Sequence, residues 1–434
     1  MRITCTALAV VCVLATGTPA AAQGTAAPVS APRAVVSPSA PAPLSLAVLE
    51  AQTLERHPAI REAAARVAEA RGHAEQAGAW TNPVVGATVD EWRPRESPSG
   101  IFGGFIQQDI ALGGKRADAR ASASAEVAVR TADVETVRLR VRTTLRVRYY
   151  ETLAAEERLS VATRLAALGD TMLVTTRQLF NVGIVDRPDV LASEAEAAAL
   201  HAAAEAARAT RTGAWRRLSA AAADPTLTPQ PLAEHLSDGA PAIDAEAARA
   251  RLFAESPELR AAEAAVAREK AVVNVQRSLV RPDLFLRGSA GWVRETTGVT
   301  SPTPIGWQLG LEAGISLPLA NRNRGGIAAS LSAVSVAEAL VAQRRLDLEA
   351  RWATVMEDYE RAKVMADAYR HDILPRSEQA YTLLLDKYRE MAAPYPQVLM
   401  AQRTLIEQSH RYIEVLEQMW RAALRAEGFV VEGS

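Results

Sequence analysis

Hydrophobic positions along this chain follow two periods, and the clearest change from one to the other lies between Ile305 and Tyr388. Trp307, Leu309, Leu311, Ala313, Ile315 and Leu317 alternate with Gln308, Gly310, Glu312, Gly314 and Ser316. A period of two predicts a strand with one apolar face and one small or polar face. The segment from Leu317 to Gly326 interrupts it, because Pro318 cannot donate to a ladder and two glycines free the backbone. Beyond it, Ile327, Leu331, Val334, Val341, Leu348, Trp352, Val355 and Tyr359 fall in four-three alternation, with Glu338 and Arg345 as exceptions. That 3.5-residue period predicts a coiled-coil seam on a helix running to about Tyr388. At about 1.5 Å per residue the helix spans roughly 95 Å. Pro375 lies inside it and is expected to kink it or loosen it locally. A strand with a greasy side feeding so long a helix predicts a strand in lipid beside a helix that crosses an aqueous space.

The same plan occurs earlier in the chain. Leu44 to Arg56 and His57-Pro58 to about Trp80 read as helices, and Asn82-Pro83 closes the second. Val84 to Trp92 and Phe102 to Ile110 flank a turn-rich loop and predict a hairpin. Leu112-Gly113-Gly114-Lys115-Arg116 leads into a helix up to about Val182, marked by Val127, Val134, Val137 and Val141. Gly183 and Pro188 predict a turn, and Asp189 to Ala222 a further helix. Asp224 to Pro241 carries four prolines and reads as irregular, with a short helix from Ile243 to Glu255.

The plan then repeats. Pro58 and Pro257, and Pro83 and Pro282, are separated by the same 199 residues. Farther on, Tyr150 corresponds to Tyr359, and Pro188-Asp189-Val190-Leu191 to Pro396-Gln397-Val398-Leu399. The expected organisation is a secretory signal at 1–22, a flexible Pro/Ala-rich segment at 23–43, and a first repeat at 44–223 (hairpin about 84–110, long helix about 114–182, helix about 189–222). A connection at 224–255 follows, then a second repeat at 256–427 (hairpin about 284–317, long helix about 326–389, helix about 396–427) and a tail at 428–434. The signal would remove both cysteines, Cys5 and Cys12. Lipid acylation of Cys12 is the competing reading, disfavoured by Val10-Val11 before it.

Past the signal no apolar run is expected to approach the ~20 residues that a spanning helix needs, so any membrane entry is expected through strands. Four strands per chain cannot close a barrel, which takes about eight or more. Open edges in lipid leave unpaired amides at several kcal/mol each, so several chains must pool their strands, and three would give about twelve. On Leu284 to Trp292, Leu284, Leu286, Gly288, Ala290 and Trp292 are expected to face lipid, and Phe285, Arg287, Ser289 and Gly291 the lumen. Trp92, Trp292 and Trp307 would form an interfacial girdle. The alternative is an ordinary antiparallel sheet on a soluble helical protein.

Composition adds exclusions. With 49 basic and 50 acidic side chains in 434 residues, no global charge favours nucleic acid. Gly113-Gly114-Lys115 lacks the other residues of a phosphate loop, since Asp109 and Arg116 stand where Gly and Ser/Thr belong. The histidines are scattered singly and no His-Glu-x-x-His occurs, so no enzyme, cofactor or metal centre is expected. Met172, Met356, Met365, Met391 and Met419 are read as packing residues, and Met400 is ambiguous. Arg138, Arg142 and Arg146 form a basic line read as a solvated face, with a partner surface as the alternative.

Signal, twofold repeat, hairpins and long helices together resemble the TolC-type outer-membrane efflux channels, over about Leu44 to Gly428. Leu112 to Arg116, Leu317 to Gly325 and Leu399 to Leu405 are similar to the CzcC-like branch, which serves heavy-metal and cation efflux. The resemblance implies a mainly α fold with membrane β: a homotrimer with a shared twelve-stranded barrel in outer-membrane lipid, continued by a helical barrel through the periplasm. It implies a periplasmic adaptor (membrane-fusion) protein and an inner-membrane proton-driven RND pump as partners. The turns at 183–189 and 389–397 would form the periplasmic entrance. The two carboxylates that help constrict the archetype's entrance match Gln397 and Met400 here, neither of them acidic, while Tyr388 matches the family's tyrosine before the turn. Asp186 and Asp189 stand in the first-half turn, either as an entrance ring favouring cations or as solvated turn residues with Asp189 capping its helix. Rival readings are a channel for drug efflux or type I protein secretion, and a periplasmic coiled-coil scaffold.

Overall fold

The computed structural model describes residues 43–93, 99–297 and 303–429, with the side chains of 91–99 and 294–305 outside that description. The expected signal, the lead segment up to Ala42, most of the first hairpin loop and the girdle role of Trp92 therefore fall outside the described residues.

Helices α1 (Leu46–Arg56) and α2 (Pro58–Ala77) lead to strands β1 (Val84–Arg93) and β2 (Ser99–Ala111), then to α3 (Lys115–Asn181) and α4 (Arg187–Ala221). After a 3₁₀ turn at Leu236–Asp238, the second half repeats the order. Helices α5 (Ala245–Glu255) and α6 (Pro257–Ser278), strands β3 (Asp283–Thr297) and β4 (Thr303–Ser316), and helices α7 (Arg324–Ala368), α8 (Leu374–Arg389) and α9 (Tyr395–Glu427) follow. The prolines fix helix starts: Pro58, Pro188, Pro257 and Pro396 all sit in a first turn, where a missing N–H costs nothing. At the first, neutral His57 caps the helix by accepting from the Ala59 N–H at 3.2 Å.

Pro375 does not break the long helix. Tyr369–Ile373 widens into a π turn in which the Leu374 N–H reaches Tyr369 O, and Pro375 falls at the start of α8. The extra residue in the turn makes room for the ring, which is the usual reason for a π bulge beside proline.

The strands form one antiparallel sheet in the order β1-β2-β3-β4. Its register places Val89, Phe102, Trp292 and Trp307 in one row and Ile110, Leu284 and Ile315 in another, all on the same face. That face is open: Leu309 is 80% and Leu311 84% exposed. The opposite face carries Asp90, Gln107, Asp109, Arg287, Gln308 and Glu312. Two phenyl rings cover glycines there, Phe105 over Gly86 and Phe285 over Gly314, one pair in each hairpin.

The helices run on from the sheet, with α2, α3, α6 and α7 side by side near it, and α3, α4, α8 and α9 at the far end. The main core lies between, where Leu145, Tyr149, Leu153, Trp215, Leu218, Leu348, Trp352 and Trp420 are buried. Trp420 stacks on Tyr150 at 3.8 Å and donates to Leu236 O at 3.0 Å. Tyr149 donates to Leu44 O at 2.8 Å and Tyr359 to Pro241 O at 3.0 Å, so the proline-rich connection is strapped across the helices. Burial pushes the Tyr150 hydroxyl up to about 12.

The heptad seam expected on α7 is buried only in its lower half. Leu348, Trp352, Val355 and Tyr359 are inside, but Ile327, Val334 and Val341 are half-buried and Leu331 is exposed, while Ser330 and Ala337 are covered instead. Val336, Leu340 and Leu346 also face outward. The upper helix therefore turns an apolar face away from its own chain. Moreover, the helix stretch from Arg324 to Arg389 contains an 18-residue window of mean hydropathy 1.6, only 11% buried, long and apolar enough by composition to cross a membrane. This corrects the expectation that no apolar stretch approaches a spanning length: Ala and Val raise the average even though Ser330, Ser332, Ser335 and Glu338 punctuate the stretch.

Candidate functional site

Two regions carry candidate chemistry: the helix tips remote from the sheet, and the corners where strands become helices. At the first tip Asn181 ends α3. Gly183, at φ +80°, turns the chain so that its N–H and that of Ile184 reach Phe180 O and Leu179 O, both at 3.0 Å. At the second, Met391 adopts φ +61° in the equivalent place, and the N–H groups of Met391 and Ala392 reach Tyr388 O and Lys387 O at 3.0 and 2.7 Å. Both close a helix through a left-handed residue, a conformation that glycine takes freely and methionine only under strain.

Between the two helical hairpins lies a small core of Met172, Leu179, Tyr381, Leu385, Tyr388, Tyr395, Val398 and Leu405. Tyr388 is 2% exposed and donates to Thr176 Oγ1 at 3.3 Å, joining the second hairpin to the first. Burial raises the hydroxyls of Tyr381, Tyr388 and Tyr395, and the negative charge of Asp189 adds to the shift at the last two. Asp189 is half-buried in the first turn of α4, with its N–H on Asp186 O at 3.2 Å. The capping residue is Asp186, not Asp189, and its exposed side chain makes no cap hydrogen bond.

Gln397 and Met400 are exposed on α9, Met400 at 71%. Met365 and Met391 are exposed as well, whereas Met172, Met356 and Met419 are packed inside. Thr176, Ser193, Tyr381, Tyr395 and Gln402 are buried here and were not singled out from the sequence. A signal existed, for Tyr381, Tyr388 and Tyr395 recur every seventh residue.

At the corners, the glycines of Leu112-Gly113-Gly114-Lys115-Arg116 take φ +68° and +82°. Lys115, which a phosphate loop would have kept for ligand, instead pairs with Asp283 at 2.7 Å at the start of β3. Arg116 donates to Gly78 O and stacks over Trp80 at 4.0 Å, and Arg281 donates to Gly113 O. At the second corner Asn323 donates to Gln276 O at 2.9 Å. The basic line on α3 is likewise committed within the chain: Arg142 and Arg146 share Glu50 at 2.6 and 2.9 Å, and Arg138 pairs with Glu135. Among the described residues no group of three or more His, Cys, Asp or Glu is placed to hold a metal ion.

A sheet with one apolar face is thus joined, corner by corner, to helices of 67 and 45 residues. The family model described as outer membrane efflux protein matches residues 49–224 and 249–425, one match for each half. The cobalt-zinc-cadmium resistance protein CzcC of Cupriavidus metallidurans is 26% identical over 371 residues, 84% of each chain. The nickel-cobalt-cadmium resistance protein NccC of Alcaligenes xylosoxydans xylosoxydans is 30% identical over 319 residues, covering 70% of this chain and 67% of that protein. Among solved structures, the outer-membrane channel OprN superposes with a TM-score of 0.72 at 20% identity, over 90% of both chains. This chain belongs to the outer membrane efflux protein family and is an efflux channel protein of the outer membrane, its helical part standing in the periplasm.

Proposed function

We propose that three copies of this chain form one export duct for heavy-metal cations, fed by a periplasmic adaptor and an inner-membrane proton-driven RND pump. The sheet carries the reading. Its edges β1 and β4 have no partner strand among the described residues, and its outer face is apolar. Four strands do not close in lipid; twelve do. The exposed apolar face of upper α7 gives the neighbouring copies a surface to cover. The cation assignment rests on the cobalt-zinc-cadmium and nickel-cobalt-cadmium resistance proteins to which the chain is similar.

Transport needs no covalent step. The helical tips form the periplasmic entrance, and opening separates the hairpin bearing Tyr388 from the one bearing Thr176, after which solute diffuses through a water-filled passage. Asp186 and Asp189 lend the entrance negative charge where Gln397 and Met400 replace the archetype's carboxylates. Acidic rings favour cations, so Asp189→Asn is expected to lower cation preference in single-channel recordings; an unchanged reversal potential removes that role. The whole reading is tested by deleting the gene and measuring sensitivity to zinc, cobalt, cadmium, copper and nickel. Sensitisation to drugs alone would transfer the channel to drug export. Recovery of the protein in soluble periplasm would eliminate the channel.

A further inference from the structure

The apolar face of β4 does not end with the ladder. Ser316 is its last residue, yet Leu317 and Leu319 keep the alternation and are 56% and 73% exposed. From Trp307 to Leu317, at about 3.4 Å per residue and a tilt of about 40°, the outward face rises roughly 26 Å, close to the ~25 Å apolar band of an outer-membrane barrel. Without Leu317 the band falls short. The periplasmic edge of the hydrocarbon therefore lies at Leu317 to Leu319, with Trp80, 61% exposed, at the same end of the sheet.

Immediately below that edge the chain collects positive charge. Arg322 and Arg324 are exposed and flank Asn323, whose amide is tied to Gln276, so Arg277 at the end of α6 belongs to the same corner. None of the three arginines has an ion pair among the described residues, whereas the neighbouring Lys115 and Arg281 are paired with Asp283 and Asp118. Arg324 also opens α7, the helix end at which a cation is disfavoured. The loop is fixed and not a floppy tail: Leu319 N–H bonds Leu317 O at 2.8 Å across Pro318, and Asn323 N–H bonds Asn321 Oδ1 at 3.0 Å. Exposed leucines above and uncompensated arginines below match one occupant, a lipid with an acyl chain and an anionic headgroup.

We infer that the corner formed by Arg277, Arg322 and Arg324 beneath Leu317 and Leu319 binds the phosphate headgroup of an anionic phospholipid in the periplasm-facing leaflet. The inference rests on the barrel reading above.

The test uses the full-length protein purified in nonionic detergent, with bound lipid counted by native mass spectrometry after adding dioleoyl phosphatidylglycerol or dioleoyl phosphatidylcholine. Wild type is expected to remain trimeric and to prefer phosphatidylglycerol. Each arginine near an anionic surface contributes about fivefold, so R322Q/R324Q should lose roughly 30-fold of that preference, and R322K/R324K should keep most of it. An R322Q/R324Q trimer with undiminished preference overturns the inference while leaving the barrel intact. Dissociation of R322Q/R324Q into monomers that still prefer phosphatidylglycerol overturns it in favour of a contact between subunits. Equal competition by inorganic phosphate would show a simple anion site and also overturn it. A monomeric wild type in detergent overturns the barrel reading, and the lipid site with it.

Discussion

The phenyl rings lying over glycines on the polar face of the sheet permit a controlled test of the register. A Cβ built on Gly314 lands on Cε1 and Cζ of Phe285, far inside van der Waals contact. Pairing of its strand on both sides holds the Phe285 backbone in place, so relief must come from the ring leaving its seat over the glycine. Gly314→Ala therefore displaces the ring or shifts β3, and overpacking of this kind costs about 1–3 kcal/mol per chain. The control lies on the other face of the same sheet. A Cβ on Gly288 meets only Ile106 Cγ2 at 3.9 Å, an ordinary contact, at an ordinary backbone angle. Gly288→Ala should be neutral, or stabilising by about 0.4–1 kcal/mol through the unfolded chain. At roughly 2–4 °C per kcal/mol, Gly314→Ala should lower the heat-dissociation midpoint of the purified channel by several degrees, and Gly288→Ala should not. In a Phe285→Leu background the cost of Gly314→Ala should shrink, because the clashing ring is gone. Equal midpoints for the two alanine variants, or no coupling with Phe285→Leu, would refute the register and the assignment of faces.

Further expectations concern the corners, the tips and pH. Lys115→Met strands the carboxylate of Asp283, one oxygen of which is already buried without a partner among the described residues, and should cost about 1–3 kcal/mol of thermal stability; adding Asp283→Asn should recover part of it. Tyr388→Phe removes the hydroxyl bridging the two tip hairpins, worth about 0.5–1.5 kcal/mol, and should raise open probability in bilayer recordings roughly two- to tenfold; no change would release Tyr388 from the entrance. Burial holds both His57 and His410 below the usual 6.5, with the Arg158 charge adding at His410. The folded chain thus resists protonating them, so their contribution is complete above pH 6.5 and is lost as pH falls through the lowered values. Denaturation followed from pH 7 downward should show a slope that His57→Asn, which keeps a cap acceptor, and His410→Gln flatten.

The local elements of this protein were determined by its sequence. The period of two gives the strand faces whatever lies beside them, and proline and glycine act on their own backbone, so Pro58, Pro257 and Gly183 mark helix ends unaided. The 3.5-residue period likewise announced α7, because a seam needs only apolar side chains at the right spacing. Which part of that seam is covered was decided by tertiary structure, since covering depends on what the other helices reach: Leu348 to Tyr359 meet the central core, and Leu331 is left 46% exposed. Tertiary structure also decided that Lys115 is spent on Asp283, 168 residues away, and that Tyr388 lies inside the tip while Gln397 and Met400 lie outside. No local rule contains those facts, for they arise when two halves of a repeated chain fold against each other and one half supplies the neutralising charge or the buried neighbour for the other.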